Sequence, residues 1–331
     1  MRTARTVEPF AIGIDLGGTK IAGALVSHDG RIGFKESLLT LPEEPVESVL
    51  QRIVACAERL QAEVATPIAG IGIGTPAMTD SRRGIVIHAS NLRWTNVPLR
   101  DLVVDRLGAT WNERVWVDKD TNAAALGEML YGAGRDSRHL LYVTIGTGVG
   151  GGMVLDGHLY HGASEGASDI GHMVLDPEGE VCGCGKRGCL ETIASGPAIV
   201  RQARAALLRG EASALSVLDR GSISARDVVD SAKEGDDLAR AVLVLAGHSL
   251  GVALAYYVDI NNPELILIGG GVAAAGELLL GPIRERIGDR ALPANARNVK
   301  VIPAGLGPDS GAIGAAALVW HHLAQQSYEA R

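Results

Sequence analysis

The chain is poor in aromatic residues: of 331 positions, two are Phe, four Trp and six Tyr. Its cores must therefore rely on aliphatic side chains and close backbone contact, and 43 glycines supply the tight turns of an α/β protein. Cysteine is scarce too. Four residues, three of them clustered, exclude a disulfide framework and fit a reducing, cytoplasmic compartment. No lysine- or arginine-rich run occurs and the net charge is −7, so a nucleic-acid partner is disfavoured for want of a phosphate-neutralising field. No apolar run is expected to reach membrane-spanning length, and the N-terminus lacks the apolar region of a signal peptide. The expectation is a soluble chain long enough for two domains with sizeable cores.

The clustered cysteines occupy Cys182-Gly-Cys184-Gly-Lys-Arg-Gly-Cys189, with His172 ten positions upstream of the first. Thiolate and imidazole are what Zn²⁺ takes, and four such ligands close a tetrahedral structural site. Ordinary buried cysteines sit among apolar residues, whereas these lie in a Gly/Lys/Arg-rich loop. Cys56, in an apolar helical pattern, reads as a buried small hydrophobe.

Phe10-Ala-Ile-Gly-Ile-Asp15 reads as an apolar strand ending in a carboxylate. Leu16-Gly17-Gly18-Thr19-Lys20 is a turn, residues 21–26 the return strand, and a third strand follows near 32–39. Glycines between two strands differ from a Rossmann loop, where they open a helix, and from Walker A, which needs a longer loop before Lys-Ser/Thr. The turn still offers backbone N–H groups beside a hydroxyl and a lysine, a set suited to phosphate. Residues 46–64 carry helical spacing and 68–73 a buried strand, leading to Gly74-Thr75-Pro76-Ala77. Residues 91–94 read as a loop and 99–107 as a short helix. Residues 115–117 form a strand with Asp118-Lys119-Asp120 at its carboxyl end and a helix over 121–131 beyond, the sheet edge at which α/β proteins bind ligands. Strand, Gly/Thr turn and strand recur over 139–155, with 146–152 as the turn, which indicates an internal duplication. Helices are expected at 197–208, 225–233, 238–258 (nearly all apolar, hence buried) and 309–322, and strands at 265–268 and 299–302.

These motifs resemble the ROK family of sugar kinases and repressors, which shares the actin/hexokinase-type ATPase fold. Asp15-Leu-Gly-Gly-Thr-Lys20 is similar to its first phosphate motif, and Ile145-Gly146-Thr147-Gly148-Val149 to its second. Ile268-Gly-Gly-Gly271 is similar to its adenosine motif. Ile170-Gly-His172 with Cys182 to Glu191 resembles its zinc signature. The resemblance covers residues 10–322. It implies an α/β, two-domain actin-like/hexokinase-type (ribonuclease H-like) ATPase fold with duplicated β-sheet cores. Residues 1–122 with a C-terminal helix at about 309–331 would form a small lobe, and 123–308 a large lobe carrying the zinc clasp.

The resemblance also implies the ligands: sugar and ATP, Mg²⁺ with the ATP, structural Zn²⁺ on His172, Cys182, Cys184 and Cys189, and a homodimer or tetramer. Asp120 matches the catalytic base that orients the sugar hydroxyl and takes its proton. Asp15 would hold Mg²⁺ through water. Gly17, Gly18, Thr19, Lys20, Gly146, Thr147 and Gly148 would serve the phosphates, and Gly270 and Gly271 the nucleoside. Asn91, His172 and Glu191 match sugar contacts. Three alternatives stand beside these roles: Asp120 as a helix N-cap, Asn91 as turn chemistry, and Glu191 as a residue that holds the clasp.

Three positions near the sugar ring depart from the family pattern: Lys119 replaces Asn, Asp169 replaces Glu, and Ala77 replaces Gly. Asp169 withdraws its oxygens by about one C–C bond, roughly 1.5 Å, enough to lose a hydrogen bond or admit a larger substituent. A lysine ammonium that approaches Asp120 makes it less basic. The expectation is ATP-dependent phosphorylation of the primary hydroxyl of a hexose or hexose-like ring, glucose-type with altered contacts. An aminohexose or C7 cyclitol is the alternative substrate. Of another class are a sugar-binding pseudo-kinase and a ROK-type regulator lacking its DNA-binding domain. Nine residues precede the first strand, far fewer than the helix-turn-helix domain of family repressors needs, so a kinase is expected.

Overall fold

The computed structural model describes residues 9–329, with side chains through 326. The unstructured lead-in expected before Phe10 lies, through residue 8, outside the described residues. Contacts divide the chain into two units. The first holds the described residues up to Asp136, Leu159–Ala167 and the described residues from Gly305; the second holds Ser137–His158 and Ser168–Ala304. The first boundary thus falls at Asp136 rather than at 122, because helix Asp120–Tyr131 packs on the C-terminal helix Ser310–Glu329. The two cross at bare glycines: a Cβ on Gly127 would lie 2.8 Å from the Gly314 Cα.

In the first unit β1 (Phe10–Leu16) pairs antiparallel with β2 (Lys20–Ser27), which pairs with β3 (Ile32–Leu39). On its other side β1 runs parallel to β4 (Ile68–Thr75), and β4 parallel to β8 (Val115–Lys119). Alternation along β1 sends Ile12 and Ile14 to one face, where α1 (Val46–Ala62) buries Leu50, Ile53, Cys56 and Leu60. On the other face the C-terminal helix lies with its backbone directly on the sheet. Register partners Gly13 and Gly72 make this possible, since a Cβ at either would sit within 1.9 Å of the Ala312 or Ala315 carbonyl oxygen. Aliphatic and glycine-mediated contact replaces the missing aromatics. Sequence periodicity did not reveal a small antiparallel sheet of β5 (Met78–Asp80), β6 (Ile85–Ala89) and β7 (Trp94–Val97).

The second unit repeats the plan. Strands β9 (Leu140–Ile145) and β10 (Val149–Leu155) form the hairpin, Leu265–Gly269 pairs parallel with β9, and Lys300–Pro303 follows in parallel. The Gly-rich turn is shorter than its sequence suggests, because Val149 to Gly152 already pair with β9. Helix Asp237–Asn261 corrects one expectation: by length and composition it could cross a membrane, but 61% of its apolar window is buried in the protein. Leu243, Leu250, Leu254 and Val258 belong to this unit's core.

Candidate active site and metal clasp

Parallel pairing aligns the carboxyl ends of β1, β4 and β8, with Asp15 opposite Gly74 and Gly74 opposite Asp118. The half-buried Asp15 abuts the first turn of the C-terminal helix, where a Cβ on Gly311 would lie 2.3 Å from its Oδ2. Burial raises the Asp15 pKa, and the charge of Lys20 pulls it back; a bound cation would favour its ionised form in the same way. The following turn closes through the Gly17 N–H on the Lys20 carbonyl at 2.9 Å. Thr40 braces it, its hydroxyl donating to the Gly17 carbonyl at 2.7 Å and its N–H to the Thr19 carbonyl at 2.9 Å. Thr19 and Lys20 are left exposed. The structure brings Asn91 to this turn, its Nδ2 3.3 Å from where a Cβ on Gly18 would stand.

Lys119 takes the N-cap position in an extended conformation and Asp120 is the first helical residue, so Asp120 is not the cap. Its Oδ1 accepts the Thr121 N–H at 2.7 Å. Beneath it lies an acid that motif reading passed over. Asp118, only 3% exposed, accepts the Lys119 N–H at 2.7 Å and the Asn122 amide at 2.9 Å on Oδ1, while His161 Nε2 lies 2.8 Å from Oδ2. Burial works to lower the His161 pKa, but the hydrogen bond and charge of Asp118, with Glu165, outweigh it and leave it raised. The pair is separated by 43 positions, so no local pattern could have found it. Ala77 is buried; its N–H donates to the Thr75 carbonyl at 2.9 Å, and its own carbonyl accepts the Thr79 hydroxyl at 3.2 Å.

In the second unit the Gly146 N–H donates to the Gly148 carbonyl at 2.9 Å, leaving Thr147 exposed at the tip of the turn. Glu191 supports this turn: Oε2 accepts the Val149 N–H at 3.0 Å and would stand 2.4 Å from a Cβ on Gly148. Its Oε1 lies 3.8 Å from Cys182 Sγ, so the same carboxylate ties the cysteine loop to the 146–148 turn. Gly270, at φ 82°, lets its turn press on the Ile145 backbone, where any Cβ would clash at 2.5 Å. Gly146, Gly271, Val272 and Ala274 then line a cavity of about 300 Å³ with Gly196, Ala225, Arg226, Val229 and Asp230. Small apolar walls with a few polar groups are what a planar base requires. The sequence reading missed the residues of helix Ala225–Lys233, which carry no motif beyond an amphipathic pattern behind the Ser224/Asp227 capping box.

The cysteine loop gathers four ligand atoms within 4.8 Å of one another. His172 Nδ1 is 3.6 Å from Cys182 Sγ, and Cys184 Sγ 3.7 Å from Cys189 Sγ. A tetrahedron with Zn–S near 2.3 Å and Zn–N near 2.0 Å has S···S edges of about 3.8 Å and S···N edges of about 3.5 Å. The cluster fits that ion. Burial pushes the Cys189 thiol up to about 12 and also raises Cys182, whereas the backbone N–H of Lys186 lowers Cys184. A bound metal would hold all three as thiolates, and binding would release the protons they carry. Asp169 is exposed at the start of the turn that carries His172, its carbonyl accepting the His172 N–H at 3.2 Å.

Known proteins resemble this chain along most of its length. A glucokinase of Thermotoga maritima is 38% identical over 312 residues, 93% of this chain and 96% of the relative. A xylose repressor of Caldicellulosiruptor bescii is 34% identical over 88% of this chain and 73% of its own length. The solved structure of a ROK family glucokinase from Streptomyces griseus, in complex with glucose and AMPPNP, superposes with a TM-score of 0.82 at 34% identity, covering 93% of this chain and 98% of that one. The duplicated hairpin-plus-parallel sheets are those of the actin-like ATPase fold of such kinases. The ROK family pattern matches residues 11–322, and with that span and these relatives the chain belongs to the ROK family.

Proposed function

We propose that this ATP-dependent sugar kinase phosphorylates the primary hydroxyl of a glucose-type hexose, with recognition of the ring altered at Lys119, Asp169 and Ala77. The observation that carries this reading is the carboxyl edge of β1, β4 and β8, which sets Asp15, a phosphate-type turn and Asp120 on one rim. Phosphoryl transfer asks the protein for position and charge rather than covalent chemistry. Asp120 orients the accepting hydroxyl and takes its proton. Asp15 would hold the cation that accompanies ATP, and Mg²⁺ there would neutralise charge on the phosphates. The Gly17 and Gly146 N–H groups close their own turns, so Gly18 and Thr19 in the first unit, and Thr147 and Gly148 in the second, are the proposed phosphate contacts; the cavity beside Gly271 takes the base.

In the second unit His172 belongs to the zinc clasp, and Asp169, His172 and Glu191 are the proposed ring contacts there. Glu191 also has the bracing role that its bond to the Val149 N–H supports. In the first unit the ring contacts are Asn91, Lys119 and Ala77. Glucose is the leading substrate because curated relatives at 38% identity are glucokinases. The shortened acid at 169 and the lysine at 119 favour testing aminohexoses and cyclitols beside it. The test is sugar-dependent ADP release across such a panel. Sugar binding without turnover on any member would refute the kinase assignment and favour a regulator, as in the xylose repressor relative.

A further inference from the structure

The buried Asp118–His161 pair belongs to no motif, yet it sits under the residue proposed as general base. Three donors converge on the Asp118 carboxylate, and two of them flank Asp120 in sequence: the Lys119 N–H and the Asn122 amide, at 2.7 and 2.9 Å. The third, His161 at 2.8 Å, comes from segment Leu159–Ala167, which returns to the first unit between two stretches of the second. That segment is tightly folded. Gly162 and Glu165 hold left-handed φ of 74° and 62°, and the Ala167 N–H closes the loop on the His161 carbonyl at 3.1 Å. Its far end is tied down by Glu165, which accepts the Ser81 hydroxyl at 2.6 Å. A carboxylate this deeply buried needs partners for its charge, and His161 supplies one from 43 positions away.

We propose that His161 is a positioning residue for catalysis: through its contact with the Asp118 carboxylate it locks the strand-to-helix junction that aims Asp120. This rests on the kinase reading above. The charged and titratable groups acting on His161 are Asp118 on β8, Glu165 on its own segment, Arg82 before β6 and His322 on the C-terminal helix. The sign follows from the raised pKa. The pair is intact below the ordinary histidine range and weakens as pH rises through the folded-state value.

The test measures kcat, KM for ATP and thermal midpoint for wild type, His161→Gln, His161→Ala and Asp118→Asn from pH 6 to 9. His161→Ala should lower kcat about 10- to 100-fold, the scale of a misplaced catalytic group, with KM for ATP within about twofold because the phosphate turns are untouched. His161→Gln, which keeps an N–H donor without the charge, should recover part of kcat and lose the alkaline decline of wild type. Wild-type kcat in His161→Ala would overturn the proposal. So would an alkaline limb that persists in His161→Gln, or a lower midpoint with unchanged kcat per folded molecule. Failure of the kinase reading shows separately, as a wild-type chain that releases no ADP with any hexose, and it removes the positioning role as well.

Discussion

Gly311→Ala isolates the role of Asp15 without touching that residue. The added Cβ would lie 2.3 Å from Asp15 Oδ2 and 2.5 Å from its Cγ, where ordinary contact begins at 3.4 Å, so the carboxylate must retreat by about 1 Å. A shift of that size breaks a hydrogen bond to an ionised group, a contact worth about 1.5–3 kcal/mol. At 1.36 kcal/mol per tenfold, kcat/KM for MgATP should fall roughly 10- to 150-fold. Stability should move less. Alanine in a helix gains about 1 kcal/mol over glycine, against about 1–3 kcal/mol for overpacking, a net that shifts Tm by only a few degrees in a chain of this size. The assay is ADP release against MgATP at saturating sugar, with Tm in parallel. KM for sugar should be unchanged. Asp15→Asn should show a similar loss, and the double variant little more than either, as expected of one shared interaction. Wild-type kcat/KM in Gly311→Ala would refute the reasoning outright, and a collapse in Tm would show the contact to be packing alone.

Asp120→Asn should lower kcat by about 10²–10⁴-fold, the contribution of a positioned general base, while sugar affinity measured by calorimetry stays within a few-fold. Removal of zinc should release one equivalent of metal in elemental analysis, lower Tm, and weaken sugar binding more than ATP binding. Because Glu191 ties Cys182 to the Val149 N–H, some loss in ATP affinity should accompany it. Asp169→Glu with Lys119→Asn should lower KM for glucose relative to the wild type's preferred sugar and leave KM for ATP unchanged; a parallel change in both would place these residues away from the ring.

Much of the first and second units was legible from residue order. A turn such as Leu16 to Lys20 is written in contiguous glycines, and the four-ligand cluster in His172, Cys182, Cys184 and Cys189, because local backbone freedom and ligand type need no distant partner. Helix Leu99–Leu107 and strand Ile32–Leu39 fall where they were expected, the helix burying Leu99 and Val103 one turn apart. Short strands such as Met78–Asp80 carry too few residues for a period to show.

Tertiary structure alone decided what depends on contacts between remote positions. The pairing of His161 with Asp118, the seat of Asp15 against Gly311, and the bracing of Val149 by Glu191 each join residues far apart in the chain. The helix Ala225–Lys233 joins a cavity with Gly146 and Gly271 only because two Gly-rich turns converge beside it. Sequence by itself determined which donor groups are at hand, since clustered thiols, Gly-rich turns and an acid at a strand end are local features. Which acid is braced, which is paired and which faces outward follows from burial and hydrogen bonding, and these exist only once the sheets have closed.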